Sequence, residues 1–115
     1  MQENDKAVLV YATYPSLETA EAEATLLVDT GQAASVNILP GVVSIYVWQG
    51  KRHRSAEVVL IAKTRQGLAE RVVAAMRTRH PYEVPALLIV PVEGGLEDYL
   101  DWLRARTAAR GATSP

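Results

Sequence analysis

The spacing of apolar and polar positions changes several times along the chain, and each change marks an element. From Ala7 to Tyr14 (AVLVYATY) β-branched and aromatic residues dominate, which predicts a strand. Pro15 and Ser16 break it. Ser16 is placed to cap a helix whose acidic Glu18 and Glu21 suit the positive end of the helix dipole. Leu17, Ala20, Ala24, Leu27 and Val28 then recur at helical spacing, and Gly31 is a C-terminal stop.

Ala33 to Trp48 (AASVNILPGVVSIYVW) reads as strand on both sides of Pro40-Gly41, a pair that predicts a bulge or bend. Gln49-Gly50-Lys51 reads as a hairpin tip, and Ala56 to Thr64 as the returning strand. Alternation puts Glu57, Val59, Ile61 and Lys63 on one face and Val58, Leu60, Ala62 and Thr64 on the other. Thr64 is the expected cap of a second helix with Leu68, Val72, Ala75 and Met76 on its stripe. His80-Pro81 ends that helix, because the residue before proline resists the helical region. Ala86 to Val92 (ALLIVPV) predicts a buried strand. After Gly94-Gly95 a last helix carries Leu96, Tyr99, Leu100 and Leu103 at i, i+3, i+4 and i+7. The tail from Thr107 to Pro115 is expected to fray. The order is β-α-β-β-α-β plus a C-terminal helix: an α+β, ferredoxin-like arrangement with an extended hairpin between its second and third strands.

Composition narrows the function classes. A chain of 115 residues, 49% hydrophobic and 22% charged, suits one globular domain over 1–115, with an ordered core at about 7–106. Twelve basic and thirteen acidic residues give a net charge of −1, which argues against nucleic-acid binding. The apolar runs are too short to span a membrane, and MQENDK has no signal-peptide core, so a cytoplasmic protein is expected. With no cysteine, disulfides, thiolate metal sites and cysteine nucleophiles are excluded. No nucleophile elbow, phosphate loop or dinucleotide fingerprint occurs, so neither an enzyme nor an organic cofactor is expected.

Four stretches together resemble the CutA divalent-cation tolerance family: AASVNILPGVVSIYVWQGK (Ala33 to Lys51), EVVLIAKT (Glu57 to Thr64), HPYEVP (His80 to Pro85) and YLDWL (Tyr99 to Leu103). The resemblance covers about residues 8 to 104. It implies tight homotrimers in which neighbouring subunits join strands, a link to copper and other divalent cations, and an architecture similar to the PII signalling proteins. It implies no reaction. The residues agree with a trimer, since a two-stranded arm is marginal in water and its free edges are sticky.

Several residues are candidates for the chemistry. His80 is read either as a Cu2+ or Zn2+ ligand in a cleft between subunits or as a structural cap of its helix. Glu57 and Glu83 are candidate carboxylate ligands. Lys63 and Tyr82 are candidate cleft residues, although Glu57 and Lys63 are separated by about 20 Å of extended strand. Tyr46, Trp48 and Trp102 are read as trimer-interface aromatics. His53 lies among Lys51, Arg52 and Arg54, which predicts a solvated tip. Two departures from the family matter: this basic tip replaces the acidic residues of many relatives, and Ser35 stands where many have Cys. Any bound metal would then use His and carboxylate ligands. The alternative is a PII-like signalling or scaffold trimer that binds a small anionic metabolite or a partner protein.

Overall fold

A computed structural model describes residues 3–113, with side chains through residue 107. The elements are β1 (Ala7–Tyr14), α1 (Leu17–Asp29), β2 (Ser35–Trp48), β3 (Lys51–Arg65), α2 (Gln66–Arg79), β4 (Leu87–Pro91) and α3 (Glu97–Thr113). All strand pairs are antiparallel, in the order β2-β3-β1-β4. This is the ferredoxin-like α+β arrangement that the sequence predicts.

Local chemistry explains most boundaries. Ser16 caps α1 by accepting from the Thr19 N–H at 3.1 Å. Gly31 (φ 73°) lets the chain turn back after α1, and the N–H groups of Gln32 and Ala33 close on the Leu27 carbonyl. Gln49 (φ 52°) and Gly50 (φ 79°) form a two-residue turn with both residues left-handed, the geometry that matches strand twist. His80 leaves the helical region immediately before Pro81, as expected.

The core lies on one face of the sheet. Val10, Ala12, Tyr14, Leu60 and Ala62 meet Ala20, Ala24 and Leu27 of α1 and Leu68, Val72 and Met76 of α2. The helical stripes of α1 and α2 therefore bury as read from their spacing, although Leu17 itself stays exposed. The odd-numbered residues of β1 and β3 point to the opposite face. There α3 covers one end only, packing Leu103 beside Ala7 and Ala34.

Three expectations need correction. Thr64 does not cap α2. It is the penultimate residue of β3, fully buried, and its hydroxyl donates to the Gln32 carbonyl at 2.7 Å, while Arg65 stands at the cap position without a side-chain bond. The returning strand starts at Lys51 rather than Ala56, so the basic tip is paired backbone. β4 is not buried within the chain: it is an edge strand, with Leu88, Ile89 and Val90 exposed. The last helix enters the segment read as a tail. Thr107 is buried and donates back to the Leu103 carbonyl, and α3 runs on to Thr113; Ser114 and Pro115 lie outside the described residues.

Candidate functional site

The bulge in β2 shapes the open face of the sheet. Leu39 pairs with Val59 and Val42 with Glu57, so Pro40 and Gly41 together oppose the single residue Val58. One extra residue reverses the parity of every side chain beyond it. Before the bulge, Val36 and Ile38 pack against the core. After it, Ser44, Tyr46 and Trp48 share a face with Glu57, and Val43, Ile45 and Val47 point the other way. Gly41 (φ 82°) supplies the left-handed residue at this step.

The result is a cleft of about 630 Å3. Tyr11, Thr13 and Glu57 form its floor, and Ser44, Tyr46 and Trp48 one wall. The opposite wall is the connection from α2 to β4: Pro81, Tyr82, Glu83, Val84 and Ala86. Glu57, Glu83 and Tyr82 are thus brought together, as the sequence suggested. None of the lining residues is Lys, Arg or His.

His80 fixes that connection. Its Nε2 lies 2.8 Å from the Thr13 carbonyl oxygen, which can only accept, so Nε2 carries the proton. Nδ1 is then the acceptor for the Tyr82 N–H at 3.1 Å. The ring is buried and stacks on Tyr14 at 4.3 Å between centroids. Both ring nitrogens are engaged within the chain, and neither has a lone pair left for a metal. Within the chain these contacts hold the connection that carries Tyr82.

Tyr82 donates its hydroxyl hydrogen to Glu57 Oε2 at 2.7 Å. Burial, then the bond to Glu57 and its negative charge, push the Tyr82 hydroxyl well above its ordinary pKa, so it stays a donor. Glu57 is 8% exposed, and among the described residues nothing donates to its Oε1 and no cation pairs with it. Among the described residues no three His, Asp or Glu side chains cluster closely enough to hold a metal ion. One chain alone therefore does not fit Cu2+ or Zn2+: the cleft offers two carboxylates, one of them already sharing a proton donor.

Other candidates lie elsewhere. Lys63 is not a cleft residue; it sits at the α3 end of the face, its Nζ 5.6 Å from the Tyr99 ring centroid. Ser35 pairs with Lys63 across the strands, and its hydroxyl is 3.2 Å from Tyr99 Oη. Trp102 is exposed beside Tyr99. His53 is less solvated than expected, because its ring stacks on Tyr46 at 5.4 Å. Sequence reasoning missed one buried ion pair. Glu23 of α1, with a side chain 4% exposed, receives Arg79 Nε and Nη2 at 3.0 and 2.5 Å. The signal was available: Glu23 stands at i+3 from Ala20 and i−4 from Leu27, on the apolar stripe of α1.

Comparison with known proteins adds the family. Residues 8–106 match the family described as CutA1 divalent ion tolerance protein. The chain is 40% identical over 110 residues to Protein CutA, chloroplastic, of Arabidopsis thaliana, covering 93% of this chain. It spans 60% of the length of that plant relative. It is 40% identical over 99 residues to the divalent-cation tolerance protein CutA of Thermus thermophilus, covering 86% of this chain and 96% of that one. Among solved structures it is similar to CutA1 from Oryza sativa, with a TM-score of 0.87 and 36% identity, over 92% of this chain and 97% of the other.

Proposed function

Because the chain belongs to the CutA1 divalent ion tolerance family, we propose that it is a single-domain, cytoplasmic divalent-cation tolerance protein, not an enzyme, which forms a homotrimer and takes a cation such as Cu2+ or Zn2+ in clefts between subunits. Glu57 carries this reading. It is a buried carboxylate with one oxygen directed at no donor of its own chain. In this reading a cation entering the cleft meets that oxygen. Glu83 is the second carboxylate of the same cleft. Two carboxylates do not close a site for such ions, so in this reading a neighbouring subunit supplies further donors.

Support for the trimer comes from the sheet edges. β2 and β4 are both free edges, and they are unlike each other. Pairing unlike edges is a heterologous contact, which forms a ring when its rotation closes, as in the proposed trimer. Large apolar side chains are exposed along both, including Val43, Ile45 and Val47 on β2 and Leu88 and Val90 on β4. Tyr46, Trp48 and Trp102 are the proposed aromatic anchors beside these edges. The cytoplasmic placement rests on the cysteine-free sequence. The alternative, a PII-like trimer, loses support for a small anionic ligand here, because the cleft is acidic and lined by no cation. Its remaining support is the exposed Lys51, Arg52 and Arg54 as a contact for a partner protein.

Native mass spectrometry of the full chain with stoichiometric Zn2+, then Cu2+, tests the metal reading. The wild type should take up a fixed number of ions per subunit, and Glu57→Gln should lose them while its circular dichroism is unchanged. A non-specific ladder of adducts, the same in Glu57→Gln, contradicts it.

A further inference from the structure

The cleft is built for more than a bare ion. A divalent cation needs several oxygen or nitrogen donors at about 2.0–2.6 Å. Only Glu57 and Glu83 of this lining carry a charged donor; Tyr11, Tyr46, Trp48 and Tyr82 present rings, and Val84 and Ala86 present alkyl groups. The volume, about 630 Å3, falls among pockets for small organic molecules. Aromatic faces carry negative potential and attract cations, more strongly where water is excluded. The lining holds two carboxylates and no Lys, Arg or His.

We propose that the Glu57–Trp48 cleft binds a small organic primary ammonium compound with an apolar body. This rests on the reading above that the cleft is the ligand site, but it names a different ligand class for it. Glu57 Oε1 is the acceptor for one ammonium hydrogen. Tyr82 Oη, which already spends its own hydrogen on Glu57 Oε2, has a lone pair left to accept a second. The apolar body lies against Tyr46 and Trp48, the two rings that the bulge at Pro40-Gly41 turns onto this face. A quaternary ammonium has no N–H for these acceptors, and a neutral alcohol has no charge for them, so a primary ammonium is preferred over both.

Trp48 reports the event directly. In Trp102→Phe, Trp48 is the sole tryptophan, since the chain has two. Its emission should change saturably with benzylammonium chloride. Benzyl alcohol and benzyltrimethylammonium should each bind at least about tenfold more weakly, the typical value of one charge-assisted hydrogen bond. Glu57→Gln should weaken benzylammonium by about as much, and Tyr82→Phe by less, both with the far-UV circular dichroism of the folded chain retained. Equal binding of benzyl alcohol, or benzylammonium binding that survives Glu57→Gln, overturns the proposal. So does silence of Trp48 toward every amine. Zn2+ titrated separately keeps the two readings apart: ion uptake without amine binding overturns this inference alone, and amine binding without ion uptake overturns the metal reading alone.

Discussion

β2 and β3 each run through two different environments. From Val59 to Lys63, β3 pairs with both β1 and β2, and Val58, Leu60 and Ala62 pack into the core under two helices. From Lys51 to Glu57 it pairs with β2 alone. Leu60 is 0% exposed in the first region, whereas Ile45 and Val47 are 67% and 69% exposed in the second. Both regions alternate with period two and both carry β-branched residues. Sequence pattern therefore distinguishes strand from helix here but does not tell which strand segment finds its cover within the chain. Among the described residues the arm has apolar side chains on both faces and no helix over either, which supports the proposed trimer.

The comparison can be broken from either side. Leu60→Ala should destabilise the chain by about 2–5 kcal/mol through lost burial and a residual cavity, read by denaturant unfolding. Ile45→Asp should leave the far-UV signal of the protomer intact and instead lower the mass seen in solution. If Ile45→Asp unfolds the protomer, the arm is not the independent region described here.

Arg79→Ala probes the helix-covered side at its rim. It strands Glu23, whose side chain is 4% exposed, and should cost on the order of 3 kcal/mol, the low end for a broken buried pair because Arg79 is 37% exposed. The denaturation midpoint reads this directly. Deleting Gly41 sharpens the comparison without touching the core. It removes the extra residue and exchanges the faces of the arm, turning Val43, Ile45 and Val47 toward Glu57 and Tyr46 and Trp48 away. Ligand and ion uptake at the cleft should be lost while helix content is kept.

The smallest effects are alkaline. Tyr14 and Tyr82 both have hydroxyls raised above their ordinary value of 10.0, chiefly by burial, with nearby Glu23 adding to it for Tyr14 and the Glu57 bond for Tyr82. A raised pKa means the folded state holds the proton more tightly than the unfolded one. Stability from both is then complete below pH 10 and declines as pH rises above it. Tyr82→Phe should flatten that decline at a cost of about 1 kcal/mol at neutral pH, for its hydrogen bond to Glu57. Tyr14→Phe should flatten it at almost no cost, because the buried Tyr14 hydroxyl has no hydrogen-bond partner among the described residues. Thermal midpoints between pH 8 and 11 separate the two.

What was legible in the sequence was local chemistry. Ser16, Gly31, Pro40-Gly41, Gln49-Gly50 and His80-Pro81 each carry a backbone preference that acts over a few residues, and each acts where it was read. Glu57, Tyr82 and Glu83 were singled out and meet in one cleft. What was not legible involves contacts distant in the chain. Thr64 has the side chain of a cap, but the Gln32 carbonyl takes its hydroxyl from 32 residues away. His80 has the side chain of a ligand, but the Thr13 carbonyl, 67 residues away, occupies one nitrogen. Lys63 was grouped with Glu57 by alternation, which fixes the face of a strand and not the position along it. The bulge was predicted, yet its consequence for Tyr46 and Trp48 needed the register with β3.

In the proposed trimer, other copies of the chain cover its arm and β4, and the Glu57 cleft lies at the seam. Sedimentation equilibrium of the full chain at micromolar concentration tests it most directly. The account predicts a single species of three times the 12.5 kDa chain mass, dissociated by Ile45→Asp. A stable monomer with the wild-type sequence would contradict it.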